Sequence, residues 1–580
     1  MRNKLVLLGG AVIAFFSLFS CQTSDNNTGN VGLEQLPGKK YRGGIFKYYE
    51  NSDFKTLFPP SITEIVGAHL AEQIFEGLVA LDPVTLDVIP AIAERWEIDS
   101  AGTEYTFYIR KGVRFHDDPC FPNGEGREVT AHDVKFVLEF TCSPHHLNQM
   151  SKFIIDHIEG AREYYDALSR GEEAKGVSGI QVIDDYTLKI KLKKPSGLFL
   201  YILAMPSFGI FPKEALEKYG EDIGEHPVGT GPFYLKDLER GKTVVLARNP
   251  FYWDKDVDGN QLPYLDGVVM HVIPEDKIAL LQFEKGELSM TNRIPLEVAD
   301  KILTREGELT PQYSKYVLQA TPALAINYFG FLVTEPPFDN PLVRRAFCMA
   351  IDRDKIAEYT MYNMVIPGNY GVVPPAFIDY DAKAIQGCSY NPDEAKFLLR
   401  RAGYPDGEGF PEITLNINAG GGRHLMVAEA IKKMLEENLN ISIKIEVLEW
   451  SQHLDVVETG KAKFFRLGWI ADYPDPESFL NLFHSKHLGE ARSYINVARY
   501  SNPEFDALLD SALTVQDKVE RYMLYMQADQ ILANDVPVLI VYYDKLYRLL
   551  QPNVKGLPIN PMDYMALKYV FLTPETDSES

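Results

Sequence analysis

At 580 residues, 46% apolar and 24% charged, the chain has ordinary globular composition and is too long for one hydrophobic core, so two or three lobes are expected. A formal net charge of −23 argues against nucleic acid and against peripheral binding to anionic lipid as partners. Beyond the leader no apolar run approaches the ~20 residues of a spanning helix, so the rest reads as soluble.

The leader itself is distinctive. Arg2 and Lys4 precede the apolar run Leu5–Phe19, which ends at Ser20 and Cys21, the layout of a secretory signal over residues 1–20. Cys21 in that setting resembles a bacterial lipobox cysteine, acylated and first in the mature protein, which predicts a lipid anchor on an extracytoplasmic membrane face. Residues 21–40 are rich in Asn, Thr, Gly and Ser, too poor in large apolar side chains to pack, and read as a flexible tether. Four cysteines remain. Cys348, on an apolar helix face, reads as a buried thiol, and Cys120 and Cys142, which flank one helix, are a possible disulfide in an exported chain.

Gly44–Glu50 reads as a strand, and Val66, Leu70, Ile74 and Leu78 at four-residue spacing as an amphipathic helix. Tyr105–Arg110 alternates strictly, as a half-buried strand does, and Thr130 to Asp133 resembles a capping box with Val134, Val137 and Leu138 behind it. Ile180–Ile183 with Thr187–Leu192, and Phe233–Asp237 with Thr243–Arg248, read as hairpins. Gly229 and Gly231 suggest a turn needing unusual dihedrals; in Asn340–Ile351 the apolar face leaves Arg344 and Arg345 pointing away. Further on, strand Ile413–Asn418, helix His424–Leu439 and strand Ile441–Leu448 make a βαβ unit and therefore a parallel sheet.

One helix later comes Phe465–Phe479, FRLGWIADYPDPESF, an apolar strand-like run that breaks at Asp472 and turns on Pro474 and Pro476, which should bring the chain to the surface. In a parallel sheet ligands gather beyond the carboxyl ends of strands, where Asp472 would lie beside the aromatic wall of Trp469. A carboxylate there suits a ligand cation, since opposite charges ~4 Å apart attract by about 4 kcal/mol at an effective dielectric near 20.

Strings along most of the chain resemble one family, the solute-binding proteins of peptide and nickel ABC importers. They include IFEGLVALD at Ile74–Asp82, PAIAERWEIDSAGTEYTFYIRKGVRFHD at Pro90–Asp117, PVGTGPFYL at Pro227–Leu235, NPFYW at Asn249–Trp253 and DNPLVRRAFCMAIDRDKI at Asp339–Ile356. The resemblance implies an α/β, two-lobed periplasmic-binding-protein-like fold with mixed sheets and a hinge. Lobe one would take residues 41–66, 186–295 and 546–580, with an inserted domain at 67–185, and lobe two residues 296–545.

It further implies that Asp472 holds a peptide's terminal ammonium, that Trp469 and its neighbour Tyr473 line the ligand site, and that Gly468 offers backbone hydrogen bonds. Arg466 would face the ligand's carboxylate, and Glu64 and Ile65 would contribute from lobe one. The expected function is a monomeric oligopeptide- or dipeptide-binding lipoprotein that delivers its ligand to importer permease subunits, with no cofactor, metal or catalytic residue. Nickel, haem or an oligosaccharide on the same fold is the alternative ligand, and a ligand-presenting receptor or sensor the alternative class. A hydrolase is disfavoured, because GxSxG, HExxH and GxxxxGK[ST] are all missing.

Overall fold

The computed structural model describes residues 33–488 and 495–574. The leader and Cys21 lie outside the described residues, as does most of the stretch read as a tether. Regular structure begins inside that stretch, where Glu34–Leu36 pairs antiparallel with Lys40–Arg42 and Lys40 bridges to Asp256 at 2.7 Å. No helix among the described residues is long and apolar enough to cross a membrane.

Lobe one carries a four-stranded sheet ordered Phe233–Glu239, Thr243–Arg248, Gly267–Val272, Ile45–Glu50, antiparallel except for its last, parallel pair. A second, antiparallel sheet follows the order Ala93–Ile98, Glu104–Ile109, Thr187–Lys191, Ile180–Asp184. The alternation read from the sequence buries Tyr105, Phe107 and Ile109 on one face of this sheet. Helix Ala131–Thr141 packs near it, started by the expected capping box of Thr130 and Asp133. A single apolar cluster joins both sheets, from Phe46, Tyr48 and Val268 to Phe107, Leu188 and Ile190.

Lobe two is organised by a seven-stranded mixed sheet, ordered Met290–Thr291, Val538–Leu550, Val317–Phe331, Phe464–Ile470, Ile413–Asn418, Ile443–Leu448, with Val365–Pro367 beside Val538–Leu550. The βαβ unit is present: Ile413–Asn418 and Ile443–Leu448 pair in parallel, joined by helix Gly421–Leu439. Alternation splits the sheet between two cores, Leu415, Ile417 and Phe464 facing one and Phe465 and Leu467 the other. Val317–Phe331 and Val538–Leu550 are the long crossing strands. They pair from Val317 with Leu550 to Gly330 with Val538, and their register slips between Pro322 and Ile326. At the lobe-one end Met290–Thr291 joins Leu549–Leu550, and Ser289 donates its N–H to the Lys47 carbonyl at 2.7 Å, so the crossing strands are stitched to the lobe-one sheet.

Four local expectations change. Arg344 does not point away: it is buried and donates to the carbonyls of Phe338 at 2.7 Å, Asp535 at 2.8 Å and Val536 at 3.0 Å, so it ties its helix to the start of a crossing strand. Gly229 and Gly231 have no left-handed backbone. They are required by close approach, since a Cβ would lie 2.0 Å from the Ile74 carbonyl oxygen at Gly229 and 2.6 Å from the Gln73 oxygen at Gly231. Cys120 and Cys142 are free thiols with different neighbours: Cys120 bonds to Asp118 in a loop, and Cys142 is buried in the core at the end of its helix, near Glu139. Finally, the prolines do not bring the chain to the surface. Tyr473–Leu480 is buried throughout, and Asp475 forms an ion pair at 3.0 Å with Arg521, both enclosed.

Candidate ligand-binding cleft

The strand Phe464–Ile470 is covered along its whole length on one flank by Val317–Phe331, from Phe464 with Phe331 to Ile470 with Ala325. On the other flank Ile413–Asn418 pairs only with Phe464 and Phe465. From Arg466 to Ile470 no strand among the described residues occupies that flank. Gly468 sits in the middle of this open stretch, where a Cβ would come within 3.1 Å of the Ile326 carbonyl oxygen and 3.3 Å of the Arg466 guanidinium. With side chains alternating, Arg466, Gly468 and Ile470 share one face.

Two residues past the strand, the backbone N–H of Asp472 donates to Ser478 Oγ at 3.1 Å, and Trp469 Nε1 reaches the same hydroxyl at 3.4 Å. This serine clamp fixes the junction. Trp469 is half-buried and packs against the core that holds Phe465 and Leu467. Asp472 is exposed, and with Tyr473 it lines a cavity of about 380 Å³ that Glu72, Glu76, Tyr252 and Trp253 of lobe one also line. Surrounding protein raises its pKa to about 6, against the partial opposition of Lys152. Among the described residues no side chain forms an ion pair or hydrogen bond with this carboxylate. Glu76 differs, since it accepts from Thr230 at 2.9 Å, Tyr252 at 2.7 Å and Trp253 at 2.9 Å. Tyr473 donates to Glu477.

The other end of the open stretch is basic. Arg466 donates to the side-chain oxygens of Asn418, at 3.0 Å, and Asn327. Asn327 in turn donates to Asp544 at 2.5 Å, and Arg423 donates to the same carboxylate at 2.6 Å. Arg423 thus pairs with Asp544 directly, and Arg466 reaches that carboxylate only through Asn327. Gly420–Gly422 opens helix Gly421–Leu439 straight after its strand, which puts Arg423 and His424 at the rim of a second cavity of about 780 Å³ together with Ile65, Arg293, Ile470 and Asp544. The Arg423 Nε and His424 Nδ1 atoms there are buried without a hydrogen-bond partner among the described residues. Burial lowers the His424 pKa to about 4, helped by Arg466.

The expected residues are therefore divided. Asp472 and Tyr473 line the first cavity and Ile65 the second; Gly468, Trp469 and Arg466 belong to the strand between. Glu64 lines neither: it caps helix Ile65–Ile74, its carboxylate accepting from the Gly67 N–H at 3.0 Å. Sequence reasoning missed Arg423, His424 and Asp544. The glycine triplet before a basic pair at a helix start was the available signal, because it places charged side chains at the carboxyl end of a parallel strand.

A family model described as "Bacterial extracellular solute-binding proteins, family 5 Middle" matches residues 87–489. The periplasmic oligopeptide-binding protein OppA of Escherichia coli is 31% identical over 520 residues, 87% of this chain and 88% of the relative. Heme-binding protein A of Haemophilus influenzae is also 31% identical, over 98% of both chains. Among solved structures, the periplasmic binding protein DppA of Helicobacter pylori in complex with the peptide STSA superposes with a TM-score of 0.74 at 26% identity, covering 92% of this chain and 98% of that one.

Proposed function

The chain belongs to family 5 of the bacterial extracellular solute-binding proteins, a family of transport proteins and not of enzymes, and we propose that it captures peptides in an extended conformation for an ABC-type importer. The observation that carries this reading is the open flank of Arg466–Ile470, with a carboxylate that no side chain among the described residues engages past one end and an excess of guanidinium charge at the other. A peptide laid along that flank adds a strand. Its main chain supplies affinity whatever its sequence, the ammonium meets Asp472, and the carboxylate meets Arg466 with His424 and Arg423 nearby. Arg466 and Asp472 are six positions apart, at most about 20 Å of extended chain, which suits peptides of about four or five residues. Trp469 and Tyr473 wall the first side-chain pocket, and Ile65 bounds the far side from lobe one. Closure of the lobes about the crossing strands sequesters the ligand. Cys21 carries the lipid that keeps the protein at an extracytoplasmic membrane face, within reach of the permease.

Isothermal titration with a tetrapeptide, its N-acetylated form and the Asp472→Ala variant tests the reading. The substitution is expected to weaken the free-amine peptide by about 10- to 100-fold and leave the weaker acetylated one unchanged. Equal loss for both would remove the ammonium role. Haem is the second reading, favoured by the relative of that name at equal identity; saturation by haemin with no response to any peptide would establish it instead.

A further inference from the structure

Lobe two holds two cysteines that neither the cleft nor the family reading uses. Cys348 lies in the last turn of helix Pro341–Met349, Cys388 in the segment leading to helix Pro392–Arg401, and both are buried. The two segments are joined where the cysteines sit: Asn391 donates its N–H to the Met349 carbonyl at 2.9 Å, and Cys348 and Cys388, both free thiols in this structure, line one small cavity together with Arg353. Arg353, itself 3% exposed, reaches both, donating Nη2 to Cys348 Sγ at 3.0 Å and Nη1 to the Cys388 carbonyl at 3.1 Å. Its remaining bonds go to the carbonyls of Ile540, Cys348 and Ile351, so among the described residues this buried guanidinium has no carboxylate partner and the sulfur is its one side-chain acceptor. We propose that Cys348 and Cys388 form a structural disulfide in the exported protein.

The chemistry follows from the surroundings. In the folded lobe burial opposes the Cys348 thiolate, but the Cys388 thiol and Arg353 outweigh it and lower the pKa to about 7, so the packed site tolerates the sulfur pair; the bond itself forms earlier, at the pH-dependent thiolate fraction of the exposed cysteines. Before this lobe packs over the pair, the thiolate attacks the disulfide of an extracytoplasmic dithiol oxidant and forms a mixed disulfide. The Cys388 sulfur then displaces the oxidant, closing the Cys348–Cys388 bond. Two protons and two electrons leave the cysteine pair, and the oxidant's disulfide becomes a dithiol. Cys120 and Cys142, whose thiols face Asp118 and the core near Glu139, stay reduced. The bond pins helix Pro341–Met349 to the segment before the next helix and constrains the unfolded chain between them.

The test is peptide mapping of the exported full chain, denatured and alkylated without reductant. The expected product joins the tryptic peptide 346–353 to 384–396, two hydrogens lighter than their sum, with Cys120 and Cys142 alkylated; after reduction all four are alkylated. Alkylation of Cys348 and Cys388 before reduction, or either one paired with Cys120 or Cys142, overturns the proposal. As a second measurement, reductant should lower the Tm of the wild-type protein by about 5 °C or more and leave the Tm of a C348A/C388A variant unmoved. Equal reductant response in both proteins would also overturn it.

Discussion

At the scale of single residues, the proposed ammonium contact makes Asp472 the group expected to set the pH behaviour of binding. Desolvation by the surrounding protein raises its carboxyl to about 6, and a ligand ammonium bound there would need it ionised. As pH falls below about 6 the free protein takes up a proton that ligand must displace, so affinity for free-amine peptides should drop up to tenfold per pH unit. The N-acetylated peptide should show no such slope. Titration calorimetry at pH 7, 6 and 5 reads the difference, and parallel slopes would count against Asp472 as the titrating group. Asp475, three positions on, is excluded from such a role by its enclosed ion pair with Arg521.

At the scale of elements, the open stretch Arg466–Ile470 depends on Gly468 as much as on what fails to pair with it. Gly468→Val would crowd the Ile326 carbonyl and Arg466 and push side-chain atoms into the space a ligand backbone needs. It should weaken all peptides by tenfold or more, acetylated or not, while Tm shifts by only a few degrees; a variant that binds normally would refute strand addition at this position. The elements themselves were legible in the sequence: the βαβ unit, both hairpins, the capped helix and the alternating strand come from local periodicity and turn chemistry. What escaped was set by distant partners. Arg344 looked solvated because its helix face is polar, yet carbonyls at the start of a crossing strand enclose it; Gly229 and Gly231 looked like turn residues, yet the backbone of another helix end presses on them. The basic rim of Arg423 and His424 escaped likewise, since only the fold brings a helix start beside strand residue Arg466.

At the scale of the whole molecule, one buried pair couples its parts to pH. His69, on the first helix of lobe one, lies 2.9 Å from Glu50 at the end of a lobe-one strand and 3.8 Å from Asp563 in the C-terminal segment. Burial lowers its pKa, but the hydrogen bond and charge of Glu50 outweigh that and hold it raised at about 9. A histidine raised in the folded state stabilises fully below its unfolded pKa, near 6.5, and that contribution is lost as pH rises through 9. Below pH 6.5, carboxyls raised by burial at Glu72, Glu477 and Asp529 oppose histidines lowered by burial at His116, His157 and His424, so the clearer window lies above. Denaturant unfolding should therefore show stability falling by about 2 kcal/mol between pH 7 and pH 9. In His69→Gln the fall should vanish, and an unchanged fall would reassign it. The open flank of Arg466–Ile470 exposes a bare strand edge. A bare strand edge templates aggregation between copies, yet this one is recessed between two lobes and ends at Pro474 and Pro476, which cannot extend a ladder. A single slender chain can reach it where a folded neighbour cannot, so a recess that would select the proposed cargo would also protect a concentrated, crowded protein from sticking to itself.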